Sequence, residues 1–231
     1  DLFVDEEEVT DLRSALKGEL QQRHYGDSVR LEVADNCSDA MASFLMRHFG
    51  LTEGDIYRTP GIVNLVRLMQ LPDRIDRPDL TFTPYKAGLP AELDGEKEDL
   101  FSAIRKRDIL LHHPYQSFAP VIEFLNQAAL DPQVVAIKMT VYRTGTDSEL
   151  MQILVDAARK GKEVTVVVEL MARFDEEVNM NWAARLEESG AHVVYGVVGY
   201  KTHAKMLLVV RREAGGLKRY VHLGPGNYHS G

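Results

Sequence analysis

Apolar and polar positions change their rhythm near the middle of the chain. Over the first ninety residues they come in short groups. Val29–Val33 alternates, the period of a half-buried strand, whereas Ser38–Phe49 sets Met41, Phe44, Leu45 and Phe49 at helical intervals on one face. Gly61–Leu71 reads as a further helix, stopped by Pro72, and Asp73–Pro90 is broken by prolines among polar residues and reads as a connection. Residues 1–90 are therefore expected to form a small α+β domain, with a boundary near residue 90.

Beyond that boundary the pattern alternates between strands and helices. Gln133–Val141 is almost continuously apolar, as a strand covered on both faces would be. Leu150, Ile153, Leu154, Ala157 and Ala158 then make a helical stripe, and Val164–Leu170 is a second buried strand. Val178, Trp182 and Leu186 mark the next helix. His192–Tyr195 and Ala204–Arg211 read as strands, and Gly215-Gly216 turns the chain into a last strand at Leu217–Leu223, a hairpin. Residues 91–231 are expected to be an α/β domain, a mostly parallel sheet with flanking helices.

Composition narrows the classes. At 231 residues the chain is long enough to bury a core without covalent staples, and 45% hydrophobic with 27% charged residues is ordinary for a globular protein. Cys37 is the single cysteine, which excludes an intramolecular disulfide framework and a cysteine-based zinc site and fits a cytoplasmic protein. Apolar runs such as Met206–Val210 fall far short of the ~20 residues of a membrane span, so no transmembrane segment is expected. The chain opens at Asp1 and stops at Gly231, directly after a motif-like stretch, which reads as a piece of a longer protein.

Charge is distributed unevenly. The 27 basic and 35 acidic side chains leave a net of −8, which argues against a general nucleic-acid binder. Residues 1–100 hold 11 basic against 21 acidic side chains, but residues 101–231 hold 16 against 14. An anionic substrate would use the second half.

Candidate chemistry gathers where the strands of that half end. Arg143 follows the first strand, ahead of the capping pattern Thr146-Asp147-Ser148-Glu149, and Arg173 lies just past the second, before a helix starting near Asp175. Ligands of open α/β sheets bind beyond the carboxyl ends of the strands, and a guanidinium fork matches phosphate oxygens. Two arginines there suggest a phosphate clamp; the alternative is surface arginines paired with nearby carboxylates. If the strand at Ala204–Arg211 returns antiparallel, His203 stands on the same edge, with Lys205 on the same face. An imidazole can accept a phosphoryl group and an ammonium can stabilise its charge, although an ordinary strand-end pair looks the same in sequence. Gly224-Pro225-Gly226-Asn227 closes the last strand, either as a plain turn or as a phosphate contact through Asn227. Asp175-Glu176-Glu177 suits the first turn of a helix, with a magnesium role the lesser alternative. His112-His113, on a segment expected to be extended, are read as structural.

His203-x-Lys205 followed by Gly224-x-x-Asn227 resembles one half of a phospholipase D superfamily site, although Val210 stands where that pattern has an aspartate. The wider set is more specific. Val141-Tyr142-Arg143, Ala172-Arg173-Phe174-Asp175-Glu176-Glu177, Lys201-Thr202-His203-Ala204-Lys205, His222-Leu223-Gly224-Pro225-Gly226-Asn227-Tyr228 and the upstream run Arg107–Tyr115 together resemble the bacterial polyphosphate kinase family. The likeness covers the whole chain, residues 1–90 with the end of the family's middle (head) domain and the rest with most of its first phospholipase D-like catalytic domain. Pro225 stands where the family commonly has Thr or Ser.

The resemblance implies a reversible transfer of the terminal phosphate of ATP to inorganic polyphosphate through a phosphohistidine. It makes His203 the nucleophile, Lys205 its catalytic neighbour, and Arg143, Arg173 and Asn227 the phosphate contacts. The family associates the positions of Arg143 and Arg173 with Mg²⁺; an arginine carries only donors, so both are expected to touch phosphate oxygens beside the ion. ATP or ADP and polyphosphate are the expected partners, and a homo-oligomer is expected of the full-length protein, with peripheral membrane association open. A phospholipase D-type phosphodiesterase or nuclease, and a non-catalytic folding or dimerisation piece, remain as alternatives.

Overall fold

The computed structural model describes residues 26–93, 99–143, 145–170, 172, 175–197 and 200–228. They fall into two compact units that divide between Tyr85 and Lys86. In the smaller unit β1 (Leu31–Ala34) runs parallel to β2 (Ile56–Thr59), with Leu31 opposite Ile56. Between them lies α1 (Asp39–His48), capped by Ser38, whose hydroxyl accepts from the Met41 N–H at 3.3 Å. Arg58 on β2 ties that cap down: its guanidinium donates to the Cys37 carbonyl at 2.7 Å and pairs with the Asp39 carboxylate.

The helix expected over Ser38–Phe49 forms, with its face of Met41, Phe44 and Phe49 open, Phe44 being 55% exposed. One expectation for this unit changes. The segment Gly61–Leu71 is not one helix. Gly61 and Asn64 hold φ of 102° and 62°, outside the right-handed helical region, and only Leu65–Gln70 winds, as a 3₁₀ turn. Pro72 then sits in the first turn of Leu71–Arg74, where its missing N–H leaves no bond unmade, so it opens a helical turn and does not end one.

The larger unit contains α2 (Leu100–Lys106), α3 (Ala119–Leu130), β3 (Val134–Val141), α4 (Glu149–Arg159), β4 (Glu163–Val168), α5 (Glu176–Glu188), β5 (His192–Tyr195), β6 (Lys205–Glu213) and β7 (Gly216–Gly224). The strands form one sheet in the order β5-β4-β3-β6-β7. β3, β4 and β5 are parallel, β6 returns antiparallel beside β3, and β7 closes the expected hairpin. The fold is α/β and the sheet is mixed, with the parallel strands on one side and the hairpin on the other. The core fills both faces: Ile137, Met139, Leu154, Val166, Leu186, Leu207 and Val209 are buried. α2 and α3 had no counterpart in the hydrophobic reading. Asp99 caps α2 by accepting from the Phe101 N–H at 3.1 Å, and α3 begins with Pro120 in its first turn.

Candidate functional site

Topology brings the candidate residues to one edge of the sheet. The parallel strands β3 and β4 both point their carboxyl ends there, releasing Tyr142-Arg143 and Glu169. β6 enters the sheet from that edge at Lys205, and β7 leaves by it, since Lys205 is opposite Gly224. Segments 142–143, 200–205 and 224–227 therefore all lie on this edge, the arrangement that an antiparallel β6 requires.

Tyr142 is the hub of the site, and its ring touches three of the groups above. The His203 imidazole meets it edge-on at 4.7 Å between centroids, with 75° between the planes. The Lys205 ammonium lies 4.9 Å from the ring centre and the Arg143 guanidinium carbon 5.6 Å. A π face favours cations at such distances, more strongly where water is excluded. Lys205 is only 3% exposed, and no carboxylate among the described residues forms an ion pair with it. Burial pushes the affinity of its amine for a proton down, and the Arg143 charge lowers it further. A buried ammonium beside a guanidinium, with an exposed imidazole on the same ring, is a place where an anion relieves electrostatic strain.

Arg143 also pairs with Asp175, its Nη1 3.1 Å from Oδ2, so the alternative of a carboxylate partner is realised. The pair is partly open to water, where such bridges contribute little, and the guanidinium keeps donors to spare. Asp175 is the N-cap of α5 without a side-chain capping bond, and Glu176 and Glu177 occupy the first turn, the macrodipole placement expected of that cluster. Asn227 is exposed in the turn after β7 and makes no hydrogen bond to the Tyr142 cluster. Arg173 lies outside the described residues.

Several side chains that the sequence reading did not assign hold the edge together. Asn179, on α5 and 0% exposed, donates through Nδ2 to the carbonyls of Tyr142 and Glu169, both at 2.8 Å. Glu169, 5% exposed, accepts the Thr202 N–H at 2.7 Å. Thr140 donates to the Ala204 carbonyl at 2.5 Å and accepts from the Met206 N–H at 2.9 Å. Their signals in sequence are an asparagine inside the apolar stripe of α5 and a carboxylate inside the apolar run Val164–Leu170. Behind the Gly224–Asn227 turn, His222 Nδ1 lies 3.0 Å from the Tyr228 hydroxyl. Burial, with the nearby His113, pushes the His222 pKa down to about 4, and burial raises that of Tyr228, so the phenol donates to a neutral imidazole. His112 and His113 sit in a turn with a cis His113–Pro114 bond and not on an extended segment. His113 bonds the Gln116 carbonyl through Nδ1 at 3.0 Å and packs on Phe118, in line with a structural role.

Magnesium fits this donor set poorly. Mg²⁺ takes oxygen ligands, whereas the hub presents an ammonium, a guanidinium and an imidazole. Among the described residues no group of three or more carboxylate, histidine or cysteine side chains gathers that could hold a metal ion.

Comparison with known proteins agrees with this architecture. The family model for the polyphosphate kinase C-terminal domain 1 matches residues 99–231, and that for the polyphosphate kinase middle domain matches residues 1–71. The polyphosphate kinase of Burkholderia multivorans is 62% identical over 99% of this chain, and that of Neisseria meningitidis 61% identical over 100% of it. In each case the chain spans 34% of the relative, about a third of its length. The crystal structure of polyphosphate kinase from Porphyromonas gingivalis superposes with a TM-score of 0.68 at 30% identity, over 86% of this chain and 30% of that one. Matched over more than half its length by a single family model, and along nearly all of it by relatives at about 60% identity, the chain belongs to the polyphosphate kinase family.

Proposed function

We propose that this chain carries the nucleophilic half of a polyphosphate kinase site, with His203 as the phosphoryl acceptor. The observation that carries the reading is the ring of Tyr142, which gathers an exposed imidazole, a guanidinium and a buried ammonium without a carboxylate partner among the described residues at one sheet edge. An imidazole nitrogen of His203 attacks the γ-phosphorus of ATP in line. The N–P bond forms as the bond to the β–γ bridging oxygen breaks, and ADP leaves with that electron pair. A terminal oxygen of polyphosphate then takes the phosphoryl group from His203, lengthening the polymer by one unit, and the reverse sequence regenerates ATP.

Charge spreads over the three equatorial oxygens of the transferring group, so catalysis rests on positioning and on cations aimed at those oxygens. Lys205 and Arg143 supply them from fixed positions around Tyr142, and we assign Arg173 and Asn227 to the neighbouring phosphates of the chain-like substrate. The described residues do not fit a resident Mg²⁺, and the ion would enter with the nucleotide as part of the substrate.

Polyphosphate synthesis by the full-length enzyme tests this reading. His203→Ala abolishes turnover, and Arg143→Ala or Lys205→Ala lowers kcat by about 10²–10³-fold, the scale of removing one fixed donor to a developing charge. Turnover retained in a folded His203→Ala enzyme would overturn the assignment.

A further inference from the structure

His203 stands outside the regular part of β6. Its ring makes contact with Tyr142, and its own N–H reaches only two residues back, to the Lys201 carbonyl at 2.9 Å. The paired register between β3 and β6 runs no further than Met139 opposite Leu207. Past that point one side chain continues the work of the backbone ladder. The Thr140 hydroxyl accepts from the Met206 N–H and donates to the Ala204 carbonyl, using its donor and one lone pair. On the other side of the histidine, the buried Glu169 carboxylate accepts the Thr202 N–H, a charge-assisted bond. Glu169 is itself fixed, since its N–H donates to the Val141 carbonyl at 2.8 Å and Asn179 bridges its carbonyl to that of Tyr142. Asn179 Oδ1 and Thr202 Oγ1, buried without a hydrogen-bond partner, both belong to this network, so local satisfaction yields here to geometry.

From this we infer that Thr140 and Glu169 are positioning residues for the nucleophile: they grip the backbone on either side of His203 and hold the imidazole at the in-line approach to phosphorus. The inference rests on the reading of His203 as the phosphoryl acceptor. Neither side chain needs to touch the substrate. Displacing a reacting group by about 1 Å costs on the order of 10²-fold in rate, so loosening either grip slows phosphorylation of His203 and leaves nucleotide binding in place.

The test is single-turnover phosphorylation of His203 in the full-length enzyme, with ATP affinity and thermal melting measured alongside. Thr140→Val removes the hydroxyl at nearly constant shape, and Glu169→Met removes the acceptor. Each lowers the phosphorylation rate about 10–100-fold while ATP affinity stays within threefold. Thr140→Ser and Glu169→Gln, which keep an oxygen acceptor, recover most of the rate. If one of the removal variants fails to fold, the other still decides the matter. Wild-type rates in folded Thr140→Val and Glu169→Met, or losses that track melting temperature and are not rescued by Ser and Gln, would overturn the positioning role while leaving His203 as nucleophile. Absence of label from His203 in the wild-type enzyme would instead overturn the parent reading, and this inference with it.

Discussion

Lys205 combines two opposed demands in one residue. Its ammonium is buried against the Tyr142 ring and beside Arg143, and both burial and that neighbour hold its pKa below the ordinary lysine value. An unfolded chain binds the proton more readily than the folded one, so stability from this group is lost once pH falls through its folded pKa, and at neutral pH the charge costs stability. Lys205→Met keeps the stem and removes the charge. It should leave the melting temperature of the larger unit unchanged or raise it, while phosphoryl transfer collapses; a calorimetric scan beside an activity assay separates the two. A marked fall in melting temperature would mean that the ammonium has a stabilising partner and is not held for an anion. His203 and Lys205 were visible in sequence because each sits in a short motif at a strand start. Glu169, Asn179 and Thr140 were not, because a polar residue inside an apolar run declares its burial but not the distant backbone group it bonds.

Among the elements, β3, β4 and their helices were legible because a strand covered on both faces must be almost wholly apolar and its following helix must carry a stripe. α3 was not among the expected elements, although Val121, Phe124, Leu125, Ala128 and Ala129 are all buried at helical spacing. Gly61–Leu71 misled for the opposite reason. Its apolar spacing suits a helix, but positive φ at Gly61 and Asn64 is decided by the backbone and leaves no trace in hydrophobic periodicity. At the far end of the sheet, Arg211 holds Asp131 at 2.8 Å and Glu213 at 3.1 Å, and Arg105 of α2 reaches Glu213 at 2.9 Å, so that end is tied by charge. At the edge of His203 the ties run mostly to backbone groups, from Thr140, Glu169 and Asn179, beside the partly open Arg143–Asp175 pair, and its closing turn is backed by the bond between His222 and Tyr228. Because the folded state holds His222 near pKa 4 against about 6.5 when unfolded, stability is fully present above pH 6.5 and is lost as pH falls toward 4, by roughly 2–3 kcal/mol. Denaturant titrations at pH 7 and pH 4.5 should show a smaller drop in His222→Gln than in wild type. Parallel drops would contradict a neutral His222 beneath the turn.

Seen whole, the molecule carries its acidic excess in residues 1–100, and two cations of its second half, Arg143 and Lys205, meet at one edge of a mixed sheet. Both lie against the Tyr142 ring, and the turn that holds Asn227 closes β7 on the same edge. The α/β class was readable from hydrophobic period; the antiparallel return of β6 was only a condition there, because period does not fix strand direction, and that return is what brings His203 and Arg143 to one edge. The meeting point was not readable, because it is a tyrosine ring that sequence treats as an ordinary strand-end aromatic. The most direct measurement is to map phosphate on the full-length protein after brief exposure to labelled ATP, in wild type and His203→Ala. The account predicts an acid-labile, base-stable phosphoramidate on the peptide containing His203 in wild type, and none there in the variant. Label on another residue, or label of equal amount in the variant, would contradict it.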